Sequence, residues 1–298
     1  MVHTKQAKSI LNKHKKRDNW FLDEYSVNPY EGCSCNCLYC YVRGSRYGEN
    51  MDAGLAIKEN ALEVLEKQLI RRAKAGEYGI VAVGTSTDAY IHHEEKWKLT
   101  EGMLQLLLKY RFPVFISTKC DLIKRDFELL KAIDKAAILP DDLKHRLARG
   151  VILSVSVSTM NEKITSFLEP GAVPPLQRLN LLQEFKQQGF LAGVNAMPLL
   201  PFISDTQEEL EKIIQAASLH GADYILPAGL TLFGTGAADS KTLYYRFLEK
   251  YDPSLIAAYN NLYCNNSSAP WQYQQQLKQR ANAICKKYHL RTSILQEQ

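Results

Sequence analysis

Short apolar runs alternate along this chain with longer segments of helical period. Gly79–Val83, Pro113–Ser117, Gly150–Val157, Leu191–Met197 and Asp223–Leu226 predict buried strands; Phe21–Val27 and Gly54–Ile57 are weaker candidates. Between them, Ala61–Ala75, Thr100–Tyr110, Asp126–Lys135, Pro175–Gln188 and Thr206–Leu219 predict helices. Leu62, Leu65, Leu69 and Ile70 have the spacing that brings apolar side chains onto one helix face. Gly189 and Gly221 are placed to stop two helices just before strands. Asp205 or Thr206 is placed to cap the helix between them, with Glu208 and Glu209 in its first turn.

Strands parted by helices of this length build βαβ units and a parallel sheet, here about six of them. The expected fold class is therefore α/β. The pattern suits an incomplete TIM-like barrel as well as a doubly wound sheet. The tail from Ser240 to Gln298 predicts helices rich in Tyr, Gln and Lys, with no linker that would set it apart as a separate domain.

Composition and charge narrow the function classes. With 298 residues, 46% apolar and 23% charged, the chain can bury a sizeable core without staples; disorder, collagen-like repeats and coiled coil are excluded as dominant descriptions. The net charge of +5 is placed unevenly. Lys5, Lys8, Lys13, Lys15, Lys16 and Arg17 put six positive charges and no acid in residues 1–17, so subtracting them leaves residues 18–298 at −1. A basic arm of this kind can touch nucleic acid or phosphate; a solvated helix or tail is the plainer reading. Gln187–Ser204 is uncharged, but Gly189, Gly193, Asn195, Pro198 and Pro201 make it a buried strand with its exit loop rather than a membrane span. No apolar run follows the N-terminal charges, so no secretory signal and no membrane partner are expected, and the expected compartment is the cytoplasm.

Four of the seven cysteines fall within eight residues: Cys33, Cys35, Cys37 and Cys40. A disulfide framework would distribute them through a small secreted domain. Cys33, Cys37 and Cys40 have the spacing C-x3-C-x2-C. Three thiolates on one tight loop can ligate three irons of a [4Fe–4S] cluster and leave the fourth open, as a catalytic metal requires. Structural zinc competes, with Cys35 as fourth ligand, although four ligands in eight residues lack the usual paired spacing. A redox switch is the second competitor.

The cluster motif Cys33-x3-Cys37-Leu38-Tyr39-Cys40-Tyr41 resembles the signature of the radical S-adenosylmethionine (SAM) superfamily. Lys8–Asn12, Asn28-Pro29-Tyr30 and Gly32-Cys33 narrow the resemblance to the branch that contains spore photoproduct lyase and its DNA-repair-photolyase-related relatives. Further matches follow in order: Gly84–Asp88 with Tyr90, Ser117-Thr118-Lys119, Lys124-Arg125-Asp126, Ser156-Val157-Ser158, Leu168-Glu169-Pro170, Arg178-Leu179 and Pro198–Pro201. The resemblance implies a partial (β/α)6 TIM-like barrel over residues 21–238, behind a basic N-terminal arm over 1–20 and under a helical C-terminal extension over 239–298 packed on it. It implies a [4Fe–4S] cluster on Cys33, Cys37 and Cys40. It further implies that the open iron chelates SAM, that an external reductant such as flavodoxin or ferredoxin supplies an electron, and that a 5′-deoxyadenosyl radical abstracts hydrogen. The cofactors carry that chemistry, and the protein positions and shields them.

Barrel enzymes place function at the C-terminal ends of their strands, and several matching motifs lie there. Thr85 and Asp88 follow one strand; Asp88 is a candidate partner for the methionyl ammonium, or a satisfied turn residue. Lys119 ends the next strand and is a candidate for the methionyl carboxylate, or a surface ion pair. Ser156 and Ser158 alternate along one strand and so share a face; toward the barrel interior their hydroxyls would meet the ribose, with Asn195 serving sugar or adenine from the next strand. Tyr39 is expected to offer backbone to adenine and to pack as an aromatic wall. Tyr39 and Tyr41 flank Cys40 as the tyrosines of the lyase's radical relay do. Glu169 and Arg178 are expected either to pair across the Pro170–Pro175 loop or to touch substrate. Arg125-Asp126 reads as capping and packing. His92-His93-Glu94-Glu95 reads as a solvated loop, because four consecutive residues share no face.

One departure bears on substrate. Spore photoproduct lyases carry a cysteine hydrogen donor just before the Thr-Ser-Asp of this loop, where this chain has Val83-Gly84-Thr85. Cys120 lies after the next strand and reads as a buried thiol or as a substitute donor. Lesion repair therefore does not carry over, whereas radical generation does. Three function classes stay in view: a nucleic-acid enzyme acting on a base or lesion, an enzyme acting on a small molecule or protein, and a non-catalytic zinc or iron–sulfur module.

Overall fold

Six of the seven apolar runs foreseen from Phe21 to Leu226 become parallel strands of one sheet in the computed structural model, which describes residues 2–48, 54–264 and 266–296. In chain order the elements are β1 (Val2–Lys5), β2 (Asn12–Lys13), β3 (Asp23–Val27), β4 (Tyr30–Glu31), β5 (Leu55–Lys58), α1 (Ala61–Lys74), β6 (Ile80–Val83), α2 (Glu94–Trp97), α3 (Leu99–Tyr110), β7 (Val114–Thr118), α4 (Phe127–Ala136), β8 (Val151–Ser156), α5 (Glu162–Leu168), α6 (Pro175–Gln187), β9 (Leu191–Leu199), α7 (Gln207–Leu219), β10 (Tyr224–Gly229), α8 (Ser240–Tyr251), α9 (Leu255–Leu262) and α10 (Trp271–Lys287).

The order of the large sheet decides between the two architectures left open. β3, β6, β7, β8, β9 and β10 lie side by side in sequence order, and β2 adds antiparallel to β3. A doubly wound sheet would reverse its order part-way. Sequential winding is that of a barrel, and because β2 and β10 are the two edges, the barrel is open. No described helix is long and apolar enough to cross a membrane.

Side-chain alternation builds two cores. Val114 and Ile116 of β7, with Val151, Leu153 and Val155 of β8, face the helices, where Leu65, Leu69, Leu104, Leu130, Phe185 and Ile214 cover them. Phe115 and Ile152 face inward and meet Tyr224, Leu226, Leu143, Leu147, Ile294 and Leu295. The segment around Leu143 and the C-terminal residues thus close the lower end of the barrel. A third cluster, with Tyr39, Leu168, Leu200, Tyr244, Phe247, Tyr259 and Tyr263, joins the cluster loop to α8 and α9. α10 packs on α7 and β10. The Ile225 N–H donates to the Arg291 carbonyl (2.8 Å), so the chain end covers the β10 edge.

Several local expectations are sharpened. Thr206, not Asp205, caps α7, accepting from the Glu209 N–H (3.3 Å). Asp205 instead accepts from the Phe202 N–H (2.7 Å) and the Tyr273 hydroxyl. The run at Gly54–Ile57 forms β5 of a separate three-stranded sheet, ordered β1–β5–β4. The tail is helical in three pieces, with Asn265, Glu297 and Gln298 outside the described residues. The first seventeen residues, of which Met1 is not described, are neither a helix nor a free tail. They supply β1 and β2, and Ile10 and Leu11 are buried on the outer core, their N–H groups both donating to Gln68 Oε1 (3.0 and 2.9 Å). Half the arm's charge is neutralised locally: Lys5 pairs with Glu31, Lys13 with Glu77, and Arg17 with Glu24 and Asp142.

Candidate cluster site

The loop after β4 holds the four clustered cysteines over the C-terminal ends of the strands. Backbone contacts fix its path. The Leu38 N–H donates to the Leu168 carbonyl (2.8 Å) and the Gly171 N–H to the Cys35 carbonyl (3.1 Å). Any side chain at Gly171 would collide with the Ser34 carbonyl, so glycine permits this close approach. Arg43 reaches back along the loop, donating to the Cys37 carbonyl (3.1 Å) and Asn36 Oδ1 (2.5 Å).

Cys33, Cys37 and Cys40 line one cavity of about 420 Å³ together with residues from β6 to β10. Contact with Cys35 and burial raise the Cys33 thiol well above its ordinary range, and burial raises Cys37 and Cys40. Iron binding must therefore displace three protons. Among the described residues, the metal-type donors lying within 4.8 Å of one another are Cys35, Asp88 and Cys120, not the three spaced cysteines. Ligands of a single zinc at about 2.3 Å sit about 3.8 Å apart. Cys33, Cys37 and Cys40 are not gathered as closely as the ligands of one zinc ion would be. Cys35 touches Cys33 on one side and is buried, with its Sγ 3.7 Å from Cys120 and 4.0 Å from Asp88 on the other.

The cavity walls carry most of the remaining candidates. Thr85 and Tyr41 sit at one side; the exposed Tyr41 hydroxyl donates to the Thr85 carbonyl (2.7 Å), and Thr85 Oγ1 accepts from Asn28 (3.0 Å). Asp88 is engaged on both oxygens: Oδ1 accepts from the Thr118 hydroxyl (2.7 Å) and the Tyr90 N–H (2.9 Å), and Oδ2 from the Lys119 N–H (2.7 Å). It ties the β6 loop to the end of β7, which is the satisfied-turn alternative. Lys119 lines the cavity with its Nζ 6.0 Å from the Tyr39 ring centre, and among the described residues no carboxylate lies within ion-pair distance of it. On the opposite wall, Asn195 Nδ2 donates to Ser117 Oγ (2.8 Å), which lies 3.0 Å from Ser156 Oγ. Asn195 is buried and its Oδ1 has no partner. Sheet register explains the shelf: Ser156 pairs with Asn195 across β8 and β9, and Ser117 with Ser154 across β7 and β8. Phe21 stacks on Phe115 (4.7 Å) as the apolar floor, beside Met197.

Two expectations about the site are corrected. Ser158 does not share the cavity face with Ser156: β8 ends at Ser156, and the buried Ser158 hydroxyl donates to Glu169 Oε1 (2.7 Å) behind the cluster loop. There the Tyr39 hydroxyl also donates to Glu169 Oε1, and Arg178 forms an ion pair with Glu169 Oε2, with both side chains buried. Arg178 also donates to the Val173 (2.6 Å) and Ser156 (2.9 Å) carbonyls, so the pair orders the Pro170–Pro175 loop rather than facing the cavity. Burial pushes the Glu169 carboxyl up, but Lys119, Arg178 and the two hydroxyls outweigh it and hold it below the usual range. Lys119 is raised, the charges of Cys37 and Glu169 outweighing its burial.

The second correction concerns His92–Glu95. His92 and Glu95 are exposed, but Glu94 is completely buried as the first residue of α2. It accepts from the Tyr30 hydroxyl, the Thr100 (2.9 Å) and Glu101 (3.1 Å) N–H groups and Arg125 (2.9 Å). Arg125 thus packs, as expected, by charge. Asp126, at the start of α4, makes no capping hydrogen bond and pairs with Arg125 instead (2.8 Å). Sequence reasoning missed Ser117, Phe21 and Phe115 as cavity residues. Only the alternation of inward positions, applied to every strand end together, could have found them.

Comparison with known proteins places the family and the fold. The model of the radical SAM superfamily matches residues 27–217. An uncharacterised protein of Mycobacterium tuberculosis is 29% identical over 273 residues, covering 89% of this chain and 75% of its own. A radical SAM Nα-GlyT isomerase of Pseudomonas phage M6 is 18% identical over 250 residues, covering 83% and 47%. Among solved structures, spore photoproduct lyase superposes with a TM-score of 0.66 at 12% identity, covering 96% of this chain and 79% of that one, which is a likeness of fold.

Proposed function

The chain belongs to the radical SAM superfamily, and from that premise we propose that it is an enzyme that holds a [4Fe–4S] cluster on Cys33, Cys37 and Cys40 and abstracts hydrogen from a nucleobase-derived group. When bound, the cluster and SAM together supply a 5′-deoxyadenosyl radical. The observation that carries the reading is the shared cavity: three spaced thiols and an ammonium with no carboxylate partner among the described residues line one space, beside Asn195, whose buried Oδ1 has no donor.

Each wall then has a task. The Lys119 ammonium takes the methionyl carboxylate, and Asp88 acts as a positioning residue by holding the Lys119 backbone, rather than as the ammonium's partner. Asn195 Oδ1 accepts from a ribose hydroxyl or an adenine amine, with Ser156 beside it. Tyr39 braces the loop through Glu169, and Tyr41 stands at the mouth beside Thr85, where it can meet a substrate radical. The apolar floor excludes water that would quench a radical. An external flavodoxin or ferredoxin delivers the electron.

Two observations favour a base over other substrates. Exposed Tyr41 and Tyr47, the latter under the Arg46 guanidinium (4.9 Å), present stacking surfaces on the segment that leaves the cluster loop. The second is the name of the phage relative, a radical SAM Nα-GlyT isomerase, which we read as acting on a modified T base. The deciding experiment is anaerobic electron paramagnetic resonance of the reconstituted, dithionite-reduced protein with and without SAM. A reduced-cluster signal that shifts on adding SAM supports the reading; zinc in place of iron, or a signal indifferent to SAM, ends it. Substrate is then tested by 5′-deoxyadenosine release with oligonucleotides against peptide and metabolite pools. Stimulation by peptides or metabolites alone would favour the small-molecule or protein alternative.

A further inference from the structure

Cys35 is the cysteine of the loop that the cluster does not use, and its surroundings are built. Its backbone is pinned by the Gly171 N–H (3.1 Å), and its side chain points to the end of β7, where the Cys120 N–H is held by Thr118 Oγ1 (3.0 Å). The two Sγ atoms are 3.7 Å apart although the residues are 85 positions apart in sequence. Cys35 also lines the cavity, so a small oxidant entering there can reach its sulfur, with Cys120 in contact with it. The two other cysteines outside the loop lack such a neighbour: Cys264 is exposed and Cys285 is buried in the outer core.

We propose that Cys35 and Cys120 are a redox-active dithiol pair, a modification site that closes to a disulfide when a peroxide reaches the cavity and reopens with thiol reductant. The step balances. Hydrogen peroxide oxidises the Cys35 thiol to a sulfenic acid and releases one water; the Cys120 sulfur then attacks the Cys35 sulfur, the S–O bond breaks, and a second water leaves with the Cys120 proton. Closing a contact of 3.7 Å to a bond of about 2.05 Å requires the side chains to turn toward each other, while both backbones keep their anchors. The disulfide ties the cluster loop to the strand end that carries Lys119. It also engages the Cys35 sulfur, which otherwise touches Cys33, so that an oxidised loop does not scramble among its own thiols. Without Cys120, and with Cys33 also replaced, the sulfenic acid on Cys35 is left unresolved, and a second hydrogen peroxide oxidises it to the irreversible sulfinic acid with release of one water.

The inference does not depend on the cluster, and its test separates the two. In the full chain carrying Cys33→Ser, Cys37→Ser and Cys40→Ser together, Cys35 is the sole thiol of the tryptic peptide 18–43, and Cys120 lies in the peptide 120–124. Circular dichroism confirms that this variant is folded. After stoichiometric hydrogen peroxide and alkylation, mass spectrometry is expected to find the two peptides joined, two hydrogens lighter than their sum, and separated by dithiothreitol. The same link is expected in the wild-type protein and is absent in Cys35→Ser. When Cys120→Ser is added to the triple variant and hydrogen peroxide is in excess, Cys35 is expected as the sulfinic acid. Separate alkylation of Cys35 and Cys120 after peroxide, or joining of 120–124 to Cys264 or Cys285 instead, would overturn the proposal.

Discussion

Glu94 and Glu169 are both fully buried carboxylates, and each faces an arginine and a tyrosine hydroxyl. They nevertheless do different things. Around Glu94 every lone pair is taken: Tyr30, Arg125 and two N–H groups at the start of α3 converge on it, and Arg125 also pairs with Asp126. The hub is closed and does not line the cluster cavity. Around Glu169, Arg178 and two hydroxyls hold the carboxylate, while Lys119 stands nearby with its ammonium toward the cavity and no carboxylate of its own. Similar ingredients make a structural knot in one place and the back wall of a site in the other. The surplus cation and the direction in which it faces make the difference. A saturated buried carboxylate is structural; one with an unmatched neighbour facing open space marks where a ligand's charge belongs.

The comparison breaks most completely if the cavity is not a cluster site. Cys33→Ser, Cys37→Ser and Cys40→Ser, made singly, are each expected to reduce cluster iron to near background after reconstitution, whereas Cys264→Ser retains it. Iron analysis and the visible absorption of the cluster check this, and wild-type iron in any of the three would remove that residue from the ligand set. On the structural side, Glu94→Ala strands Arg125 and two helix N–H groups in the core. Removing one partner of such a pair costs about 3–5 kcal/mol. Urea denaturation should show that loss, while iron content and SAM affinity of the folded fraction stay as in the wild type.

Lys119→Met tests the open side. It is expected to weaken SAM binding by about 10- to 100-fold, the worth of one charged hydrogen bond, with a smaller drop in urea midpoint than Glu94→Ala. Equilibrium binding to the reconstituted protein reads it. The same substitution sharpens the comparison through pH. Glu169 is held below the usual carboxylate range, with Lys119 the leading stabilising charge. A depressed folded-state value contributes stability above the ordinary carboxylate range, and that stability is lost as pH falls through the folded value. Removing Lys119 moves that value up, so acid unfolding of Lys119→Met should begin at higher pH than in the wild type. An unchanged acid limb would mean that Arg178 alone holds Glu169.

What could be read from the sequence divides along the range of the interactions. The strands, their order of appearance and the helix stops follow from local periodicity, as Gly189 and Gly221 show with φ of 82° and 79°. The three-cysteine spacing and the strand-end positions of Asp88 and Lys119 were equally legible, because they are local to one loop or one strand. Contacts made across the barrel were not. Nothing near Cys35 announces Cys120, and nothing in His92–Glu95 announces that Tyr30 and Arg125 converge on Glu94. Ser158 was misplaced because alternation was extended past Ser156, where the strand ends and the chain turns toward Glu169. The N-terminal arm was misread because its charges were counted without their partners; Glu31, Glu77 and Asp142 lie outside the arm and are found only in three dimensions.

The smallest expected effect lies on the shelf opposite Lys119. Asn195 donates to Ser117 and keeps a buried carbonyl oxygen free. A neutral hydrogen bond is worth about 0.5–1.5 kcal/mol, so Asn195→Ala should weaken SAM about 3- to 10-fold, well short of Lys119→Met. Ser117 touches a ligand's acceptor only through Asn195, so Ser117→Ala acts by loosening that amide and should cost less still. The pair of variants also decides which ligand owns the shelf. If Asn195→Ala leaves SAM affinity unchanged but raises KM for the nucleic-acid substrate, the free oxygen belongs to the base and not to the cofactor. The cofactor would then be held from the Lys119 side alone, and the polar shelf would become the place where substrate identity is read.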